Sequence, residues 1–366
     1  MGIDGLWEMI EGAAKEESLL ALALREGIGK ANRRMPYRLG VDASIWFRQC
    51  QSVFKFAHAQ AGENPELRTL FYRLCRLFEL PVDVVFIFDG PSRPSRKRGT
   101  VVKTADHWIT SSFKNLIEAF GFSWQMAPGE AEAELAFLNR TGYIDAVVTD
   151  DSDVFVFGSL QAVNQFTHST DSSSIKPNKD TVKVFSRRSI ESQPTVRMTR
   201  GAIFLVAVLS GGDYDQGLTG CGAKIAQGLS RYGLGESLLE IASVSMGLDT
   251  LQERETDLCA WREQLRNCLR DDPDGHLGRR YPRLAERICD TFPDITIMEY
   301  YIHPSCSVKN DAGPATMSLS TTRPCDAFDP GRLAQLCEQF FTWGTPNGIE
   351  TKFRNVVWKG AIVRML

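Results

Sequence analysis

The chain has 366 residues, and 42 lysines and arginines against 45 aspartates and glutamates give it a formal net charge of −3 at pH 7. Hydrophobic residues make up 43% of the chain, which excludes global disorder and supplies material for a large core. No apolar run approaches the ~18–20 residues of a membrane span, and the start lacks the basic flank and apolar stretch of a signal peptide. We therefore expect a soluble, intracellular globular protein.

The nine cysteines are an odd and scattered set, and no two of them form a C-x-x-C pair. A chain of this length does not need disulfides to fold, so we expect reduced and mostly buried thiols rather than a zinc site. The small net charge does not indicate a nucleic-acid-binding protein, and any such surface must come from local clusters of basic residues.

Short apolar runs that end in acidic residues predict the fold of the first half. Residues 39–41 lead to Asp42, residues 84–88 lead to Asp89, and residues 146–149 lead to Asp150 and Asp151. Their β-branched and aromatic composition is typical of strands buried on both faces. Helical patterns over residues 67–80 and 111–120 lie between these runs. The alternation predicts an α/β fold with a central, mostly parallel, twisted sheet flanked by helices.

The pattern becomes mainly helical from about residue 198 onward, which predicts a second, helical region. Residues 167–179 are polar and serine-rich, and we expect a surface insertion there. Residues 304–326 are poor in large apolar side chains and are expected to form a flexible loop. The last residues stop inside an apolar pattern, so we expect a C-terminal continuation beyond residue 366.

Acidic residues are predicted to converge on one edge of this sheet, because open parallel sheets bind their ligands at the carboxyl ends of the strands. The acids concerned are Asp42, Asp89, Asp151, Asp153 and Asp213, together with Glu130, Glu132 and Glu134. So many carboxylates in one place need cations, since like charges would otherwise force several of them to take up protons. Oxygen ligands without clustered histidine or cysteine favour Mg²⁺ or Mn²⁺ over zinc.

Each acid also has an ordinary structural interpretation. Asp42 could simply cap the helix that follows it, and the glutamates could form a solvated helix face. On a regular helix Glu130 and Glu134 share a face whereas Glu132 points elsewhere, so spacing alone does not select the ligands.

Six ordered motifs carry a family resemblance: MGIDGLW at 1–7, VDAS at 41–44, FDG at 88–90, APGEAEA at 127–133, TDDSD at 149–153 and GGDY at 211–214. The set resembles the XPG/flap-endonuclease superfamily of structure-selective nucleases, and most of all its eukaryotic Holliday-junction resolvase branch. The resemblance implies a PIN/resolvase-like fold and a mechanism with two Mg²⁺ ions, for which Mn²⁺ may be exchanged. The implied products carry a 5′-phosphate and a 3′-hydroxyl.

The family pattern assigns the metal site and catalysis to seven acids: Asp42, Asp89, Glu130, Glu132, Asp151, Asp153 and Asp213. It selects Glu132 over Glu134 and leaves Asp150 outside the site.

A basic segment follows Asp89, with five basic residues and no acid between Arg93 and Lys103. A solvated loop or a nuclear-import signal has the same composition, but a phosphate clamp beside the acids suits a structure-selective enzyme. By the family pattern, Arg96 and Lys103 assist catalysis and contact the DNA. Further contacts with DNA are expected from Gly2, Arg93, Lys97 and Arg98.

The interval from Asp89 to Glu130 is 41 residues, which is short for this superfamily. Its flap and exonuclease branches place a longer helical arch there, through which a free 5′ end threads. We expect a short arch at about 91–112 and a site open to branched duplexes. The aromatic residue that flap enzymes stack on a base is replaced by Arg48, with Trp46 and Phe47 beside it.

Glycines at 217, 220 and 222 lie between two helical patterns and expose backbone N–H groups at the start of the second one. An ordinary helix hairpin turned by glycine has the same spacing. The resemblance implies instead a helix–two-turn–helix element that grips one duplex strand and can hold a K⁺ ion. Gly220, Gly222 and Lys224 are the candidate phosphate contacts.

The resemblance also suggests how the chain is divided. We expect a nuclease core at 1–200, which includes the arch, and a helix–two-turn–helix and helical DNA-binding region at 201–303. The flexible loop at 304–326 and a helical or extended segment at 327–366 would follow, and the last segment would lead to a further module.

We therefore expect a Mg²⁺-dependent endonuclease of the nucleus that binds branched DNA, resolves Holliday junctions by paired symmetric nicks and cuts 5′ flaps. Two nicks need two active sites, so a homodimer on the junction is expected. Two alternatives stay open at this point. One is a monomeric 5′-flap or gap endonuclease of replication or repair, and the other is a non-catalytic module that binds DNA branches.

Overall fold

The computed structural model describes residues 2–28, 36–53, 63–102, 107–164, 181–244, 250–307 and 328–365. The predicted insertion at 167–179, Lys103, and all but the first residues of the loop predicted at 304–326 lie outside these ranges. None of the helices in the described ranges is long and apolar enough to cross a membrane.

The main sheet has seven strands in the order β1-β9-β8-β7-β2-β3-β6, and a separate hairpin pairs β4 with β5. The strands are β1 (Lys15–Ser18), β2 (Tyr37–Asp42), β3 (Val82–Phe88), β4 (Arg96–Lys97), β5 (Thr100–Val101), β6 (Ser123–Met126), β7 (Ala146–Val148), β8 (Gln161–Asn164) and β9 (Thr181–Ser186). The five strands from β8 to β6 in this order are parallel to one another, and the antiparallel pairs are β8 with β9 and β9 with β1. The mostly parallel sheet predicted from the sequence is confirmed.

Helices cover both faces of the sheet and continue beyond it. In the first half they are α1 (Leu6–Ile10), α2 (Leu19–Ala23), α3 (Ala43–Val53), α4 (Pro65–Phe78), α5 (Thr110–Ala119), α6 (Ala131–Arg140), α7 (Asp153–Val156) and α8 (Arg187–Ser192). A 3-10 turn at Glu11–Ala13 and a π-helical turn at Leu24–Ile28 extend α1 and α2. The helices predicted at 67–80 and 111–120 correspond to α4 and α5, each displaced by one or two residues.

The second half is helical in its described parts, as the sequence pattern predicts. Its helices are α9 (Arg200–Ser210), α10 (Ala223–Ser230), α11 (Leu234–Ser243), α12 (Thr250–Asp271), α13 (Pro282–Ala285), α14 (Ile295–Ile302), α15 (Pro330–Phe341), α16 (Pro346–Val356) and α17 (Trp358–Met365). A single buried apolar cluster joins Leu6 of α1 to Phe204 of α9 and Trp261 of α12. The helical region therefore packs directly on the start of the chain.

The run of apolar residues in β3 is continuous because its side chains point alternately to two buried faces of the sheet. Val84 and Phe86 join the cluster under α4 and α5, whereas Val85 and Ile87 join the cluster under α6 on the opposite face. On the α6 side, Gly40 of β2 leaves the space that the neighbouring side chains fill, and a Cβ there would collide with them. The sheet is thus buried on both faces, as strands of parallel sheets are.

The C-terminal helices return to the α4 and α5 face. Phe341 of α15 contacts Phe71 of α4 with ring centroids 5.7 Å apart. The Arg364 guanidinium of α17 lies 4.8 Å from the centroid of Phe78 and donates a hydrogen bond to the Val82 carbonyl oxygen at 3.0 Å. This face of the sheet is therefore closed by residues from the last described segment.

Chain order places a topological switch point between β2 and β7. From β2 the chain adds β3 and β6 on one side, then crosses by α6 to β7 and β8 on the other side. Crevices for ligands open at such points, at the carboxyl ends of the strands. Asp42 ends β2 at this crevice, and Asp151 follows β7 there.

Asn139, near the end of α6, links the segments that lead into β7 and β8, at the end of the sheet opposite the crevice. Its Oδ1 accepts hydrogen bonds from the Ser159 hydroxyl and from the backbone N–H groups of Leu160 and Gln161, at 2.7–3.0 Å. Its Nδ2 donates to the carbonyl oxygens of Ile144 and Asp145 at 3.2 and 2.9 Å. Asn139 itself is buried.

We predict that Asn139→Ala lowers the free energy of unfolding by about 3–5 kcal/mol, because several buried polar groups lose their partner at once. Urea unfolding followed by circular dichroism measures the loss. The matched control is Asn115→Ala on α5, which removes one bond from Arg332 and should cost less than about 1 kcal/mol. Equal losses in the two variants would contradict the role assigned to Asn139.

Candidate metal centre and nucleic-acid interface

Asp42 and Asp89 stand at the ends of adjacent strands, as predicted. Asp42 Oδ1 accepts hydrogen bonds from the backbone N–H groups of Ser44 and Ile45 at 2.7 and 3.1 Å, so this acid also caps α3. The Ser44 hydroxyl donates to Asp89 Oδ2 at 2.7 Å, and Asp89 Oδ1 accepts from the Ala131 N–H at 3.0 Å. These bonds tie the ends of β2 and β3 to the beginning of α6.

Glu130, Glu132 and Asp213 surround one ammonium group, that of Lys97. Lys97 Nζ is paired with Glu130 Oε1, lies 2.6 Å from Glu132 Oε1 and lies 3.1 Å from Asp213 Oδ2. All three acids are buried, with no more than 6% of their surface exposed. Three acids from distant parts of the sequence therefore meet around a single cation.

The beginning of α6 explains why Glu132, and not Glu134, joins Glu130. The helix starts at Ala131, and Glu130 precedes it with an extended backbone at φ −85° and ψ 139°. The regular-helix argument for a shared face of Glu130 and Glu134 therefore does not apply. Glu134 instead accepts a hydrogen bond from the Ser307 N–H at 2.8 Å and is fully buried.

Asp151 and Asp153 lie against the start of the chain. Asp153 Oδ1 accepts a hydrogen bond from the Ile3 N–H at 2.9 Å, and Asp151 Oδ1 accepts from the Asp153 N–H at 3.1 Å. Gly2 is buried beside both carboxylates with φ +82°, and a Cβ at this position would overlap them. Gly2 thus has a packing role here, and its predicted contact with DNA stays a prediction.

Burial and mutual repulsion perturb these carboxylates. Burial, followed by the nearby charge of Asp89, raises the pKa of Asp42 to about 7. Burial raises the pKa of Glu132 and that of Asp153 well above their usual range, and in both cases the charge of Asp151 adds to the effect. These shifts show that the acids crowd one another, which is the condition that bound cations relieve.

Lys97 partly relieves this repulsion. Burial acts to lower the pKa of Lys97, but Glu132, Glu130 and Asp213 outweigh it and raise that pKa. Burial acts against ionisation of Asp213 as well, yet Lys97 and Arg98 hold its pKa below the usual value. The ammonium group is therefore held firmly in its charged form by the acids.

The donor set fits hard divalent cations. Every predicted ligand presents carboxylate oxygens, which are the donors that Mg²⁺ and Mn²⁺ prefer. Three of these carboxylates already contact a cation, the Lys97 ammonium group. Asp153 Oδ2 is buried and has no hydrogen-bond partner among the described residues. Within those residues no three acid, histidine or cysteine side chains form a finished metal-binding group. A divalent ion would thus have to displace Lys97 from the carboxylates.

The β4–β5 hairpin presents its basic residues to opposite sides. Arg96 and Lys97 are consecutive in β4, so one points to solvent and the other to the acids. Arg96 is exposed, and no acid of the described ranges pairs with it. Counting residues along the family pattern selected Arg96, whereas the side chain that contacts the acids is that of Lys97. The catalytic roles predicted for Arg96 and Lys103 stay predictions.

Two further arginines of this segment are also bound to the site. Arg98 donates from Nε to Asp213 Oδ1 at 2.8 Å and from NH2 to the Gly2 carbonyl oxygen at 2.6 Å. Arg93 donates to Asp89 Oδ2 at 3.2 Å. The described part of the arch therefore docks on the acids by three basic side chains, and it contains no helix before α5.

The predicted helix–two-turn–helix element corresponds to α9, the turn at 211–222 and α10. Gly220 and Gly222 are exposed in this turn, and Lys224 is exposed in the first turn of α10. The Arg287 guanidinium donates to the Thr219 carbonyl oxygen at 3.2 Å, directly beside Gly220. Residue 287 is 67 residues from Gly220 along the chain, and no local sequence pattern links it to this turn.

The aromatic residues near Arg48 belong to the core. Trp46 and Phe47 are 2% and 7% exposed and pack against Phe86 and Phe88, so neither is available to stack on a base. Arg48 itself is exposed.

Comparison with known proteins agrees with this architecture. The XPG N-terminal domain matches residues 1–108, and the XPG I-region matches residues 121–213. A solved structure described as "eukaryotic junction-resolving enzyme GEN-1 binding with Cesium" is 30% identical to this chain, with a TM-score of 0.78. The alignment covers 99% of this chain and 79% of the solved one. The chain belongs to the XPG/flap-endonuclease superfamily of structure-selective nucleases, as the motifs predicted.

The relatives include junction-resolving enzymes. A structure of the Holliday junction-resolving enzyme GEN1 with product DNA and Mg²⁺ is 30% identical to this chain, with a TM-score of 0.76. The alignment covers 99% of this chain and 79% of that structure. The human flap endonuclease GEN homolog 1 is 30% identical over 261 residues, 66% of this chain. The chain spans about a quarter (26%) of the length of that human relative. The catalytic core of Rad2 has the same fold, with a TM-score of 0.65 at 21% identity.

We predict that Lys97→Met increases the affinity for Mn²⁺ by about 10-fold or more, because the variant removes the ammonium that competes for three carboxylates. Isothermal titration calorimetry without DNA measures the affinity. The matched control is Arg96→Met, which removes the same charge from the neighbouring, exposed position and should leave the affinity unchanged. Weaker Mn²⁺ binding by Lys97→Met would show that Lys97 does not compete with the ion.

Proposed function

We propose that the chain is the nuclease part of a Mg²⁺-dependent, structure-selective DNA endonuclease that resolves four-way junctions by paired nicks and also cuts 5′ flaps. The single observation that supports this most is the cluster of buried acids around Lys97 at the switch point of the sheet. Its relatives with Mg²⁺, Mn²⁺ and product DNA support the same chemistry here.

In this proposal the acids hold two divalent ions, Mg²⁺ or Mn²⁺, which would activate a water and stabilise the leaving 3′-oxygen, giving a 5′-phosphate product. The seven predicted acids would hold them. The chain's own basic residues then position the substrate: once released from the acids, Lys97 and Arg98 can pair with phosphates beside the site. Asp213 connects metal binding with substrate positioning, since its carboxylate contacts both Lys97 and Arg98. It also lies in the turn that leads to the exposed Gly220 and Gly222.

The helix–two-turn–helix element would hold one duplex arm. Exposed N–H groups around Gly220 and Gly222, together with Lys224 and Arg287, form a surface that matches a phosphate backbone. Relatives solved with potassium, sodium and cesium support binding of a monovalent ion by the present chain, and the site that we propose for it is this element. We place the protein in the nucleus and expect two copies to assemble on one junction by two-fold symmetry.

A supercoiled plasmid that extrudes a cruciform tests paired nicking. We predict that the wild-type protein with Mg²⁺ linearises the plasmid within one binding event, whereas Asp42→Asn binds the junction but does not cut it. The matched control is Asp83→Asn, at the opposite end of β3, where the exposed carboxylate pairs with Arg38 at 3.5 Å. Accumulation of nicked circles alone would refute paired nicking, and cutting by Asp42→Asn at the wild-type rate would refute the metal assignment.

A flap with a bulky block on its 5′ end separates this proposal from a monomeric flap enzyme. The described arch contains only a short hairpin before α5, so we predict that the block leaves cleavage within about 2-fold of the unblocked flap. A gel assay with labelled flaps gives both rates. Complete loss of cleavage on the blocked flap would favour an enzyme that threads a free 5′ end.

A further inference from the structure

Tyr214 ends the GGDY motif, and the metal site and DNA surface described above give it no role. It follows Asp213 directly, and its hydroxyl donates a hydrogen bond to Glu130 Oε2. The other oxygen of this carboxylate, Oε1, is paired with Lys97. The two oxygens of Glu130 are therefore used differently, one by a neutral hydroxyl and one by a cation.

The position of Glu130 makes this hydrogen bond important. Glu130 precedes α6 with an extended backbone, so the helix does not fix the direction of its side chain. Among the described residues, its carboxylate is held by Lys97 and by Tyr214. When a divalent ion replaces Lys97, the hydroxyl of Tyr214 is the contact that continues to hold Glu130.

The ring of Tyr214 is itself held in place by α14. Its centroid lies 4.7 Å from that of Tyr301 and 5.1 Å from that of Tyr300. Tyr301 is 1% exposed and cannot move without opening the core. Lys97 Nζ lies 5.6 Å from the Tyr214 centroid on the side of the acids. The hydroxyl is thus presented to Glu130 by a rigid support from the helical region.

We infer that Tyr214 is a positioning residue of the metal site: its hydroxyl holds Glu130 Oε2 so that Oε1 remains directed at the bound divalent ion. The inference rests on the proposed function, because it requires that these acids bind such an ion. Groups that orient ligating carboxylates typically change metal affinity by about 10- to 100-fold when they are removed.

The test compares Mn²⁺ binding by wild type and Tyr214→Phe, without DNA, from the electron paramagnetic resonance signal of free Mn²⁺. Phenylalanine keeps the ring contacts with Tyr301 and Lys97 and removes only the hydroxyl. We expect the dissociation constant for Mn²⁺ to rise about 10-fold, with the midpoint of thermal unfolding in EDTA unchanged. The matched control is Tyr300→Phe, which changes the adjacent ring and should bind Mn²⁺ as wild type does.

A second pair of variants shows whether Tyr214 acts through Glu130. In a Glu130→Gln background, Tyr214→Phe should weaken Mn²⁺ binding by less than about 2-fold, because the group that it positions is altered already. A full 10-fold loss in that background would overturn the inference, as would equal affinities of wild type and Tyr214→Phe. If wild type itself does not bind Mn²⁺, the proposed function fails together with the inference.

Discussion

Repulsion among buried carboxylates is the constraint on which the site depends. Acids from β2, β3, the start of α6, the loop after β7 and the turn after α9 are brought within electrostatic reach of one another, and burial makes their charges costly. Burial raises the pKa of Asp42 to about 7, and it raises the pKa values of Glu132 and Asp153 well above their usual range. An arrangement of this kind persists only where cations can share the space. The hairpin supplies one such charge through Lys97, and the donor atoms are of the type that divalent ions prefer.

The fold supports this crowded site from behind. Asn139 joins the end of α6 to the residues after α7, so the two helices whose first turns carry acids are fixed at their far ends. The start of the chain closes the same space from the front, where Ile3 bonds to Asp153. The helical region contributes Asp213 and the tyrosines of α14. The site is therefore assembled from the whole chain rather than from one local segment.

Much of this was predictable from the sequence, and the exceptions have physical causes. Apolar runs that end in aspartate identify parallel strands and the edge where Asp42 and Asp89 meet, because burial on both faces leaves a continuous hydrophobic pattern. The choice of Glu132 over Glu134 needed the family resemblance, since the sequence does not reveal that α6 begins one residue after Glu130. Arg96 and Lys97 could not be told apart, because a two-residue strand leaves too little pattern to show which side chain faces inward. Arg287 is 67 residues from Gly220, and only tertiary packing brings them together.

The position of Gly2 has a practical consequence for work with this protein. Its backbone lies against the Asp151 and Asp153 carboxylates, so residues fused ahead of it would start beside the acidic cluster and crowd the proposed metal site. Arg364, by contrast, donates a hydrogen bond to the Val82 carbonyl oxygen at the beginning of β3, at the opposite end of the strand from Asp89. In work with these 366 residues, affinity tags and fluorophores therefore belong after Arg364, away from the acidic cluster.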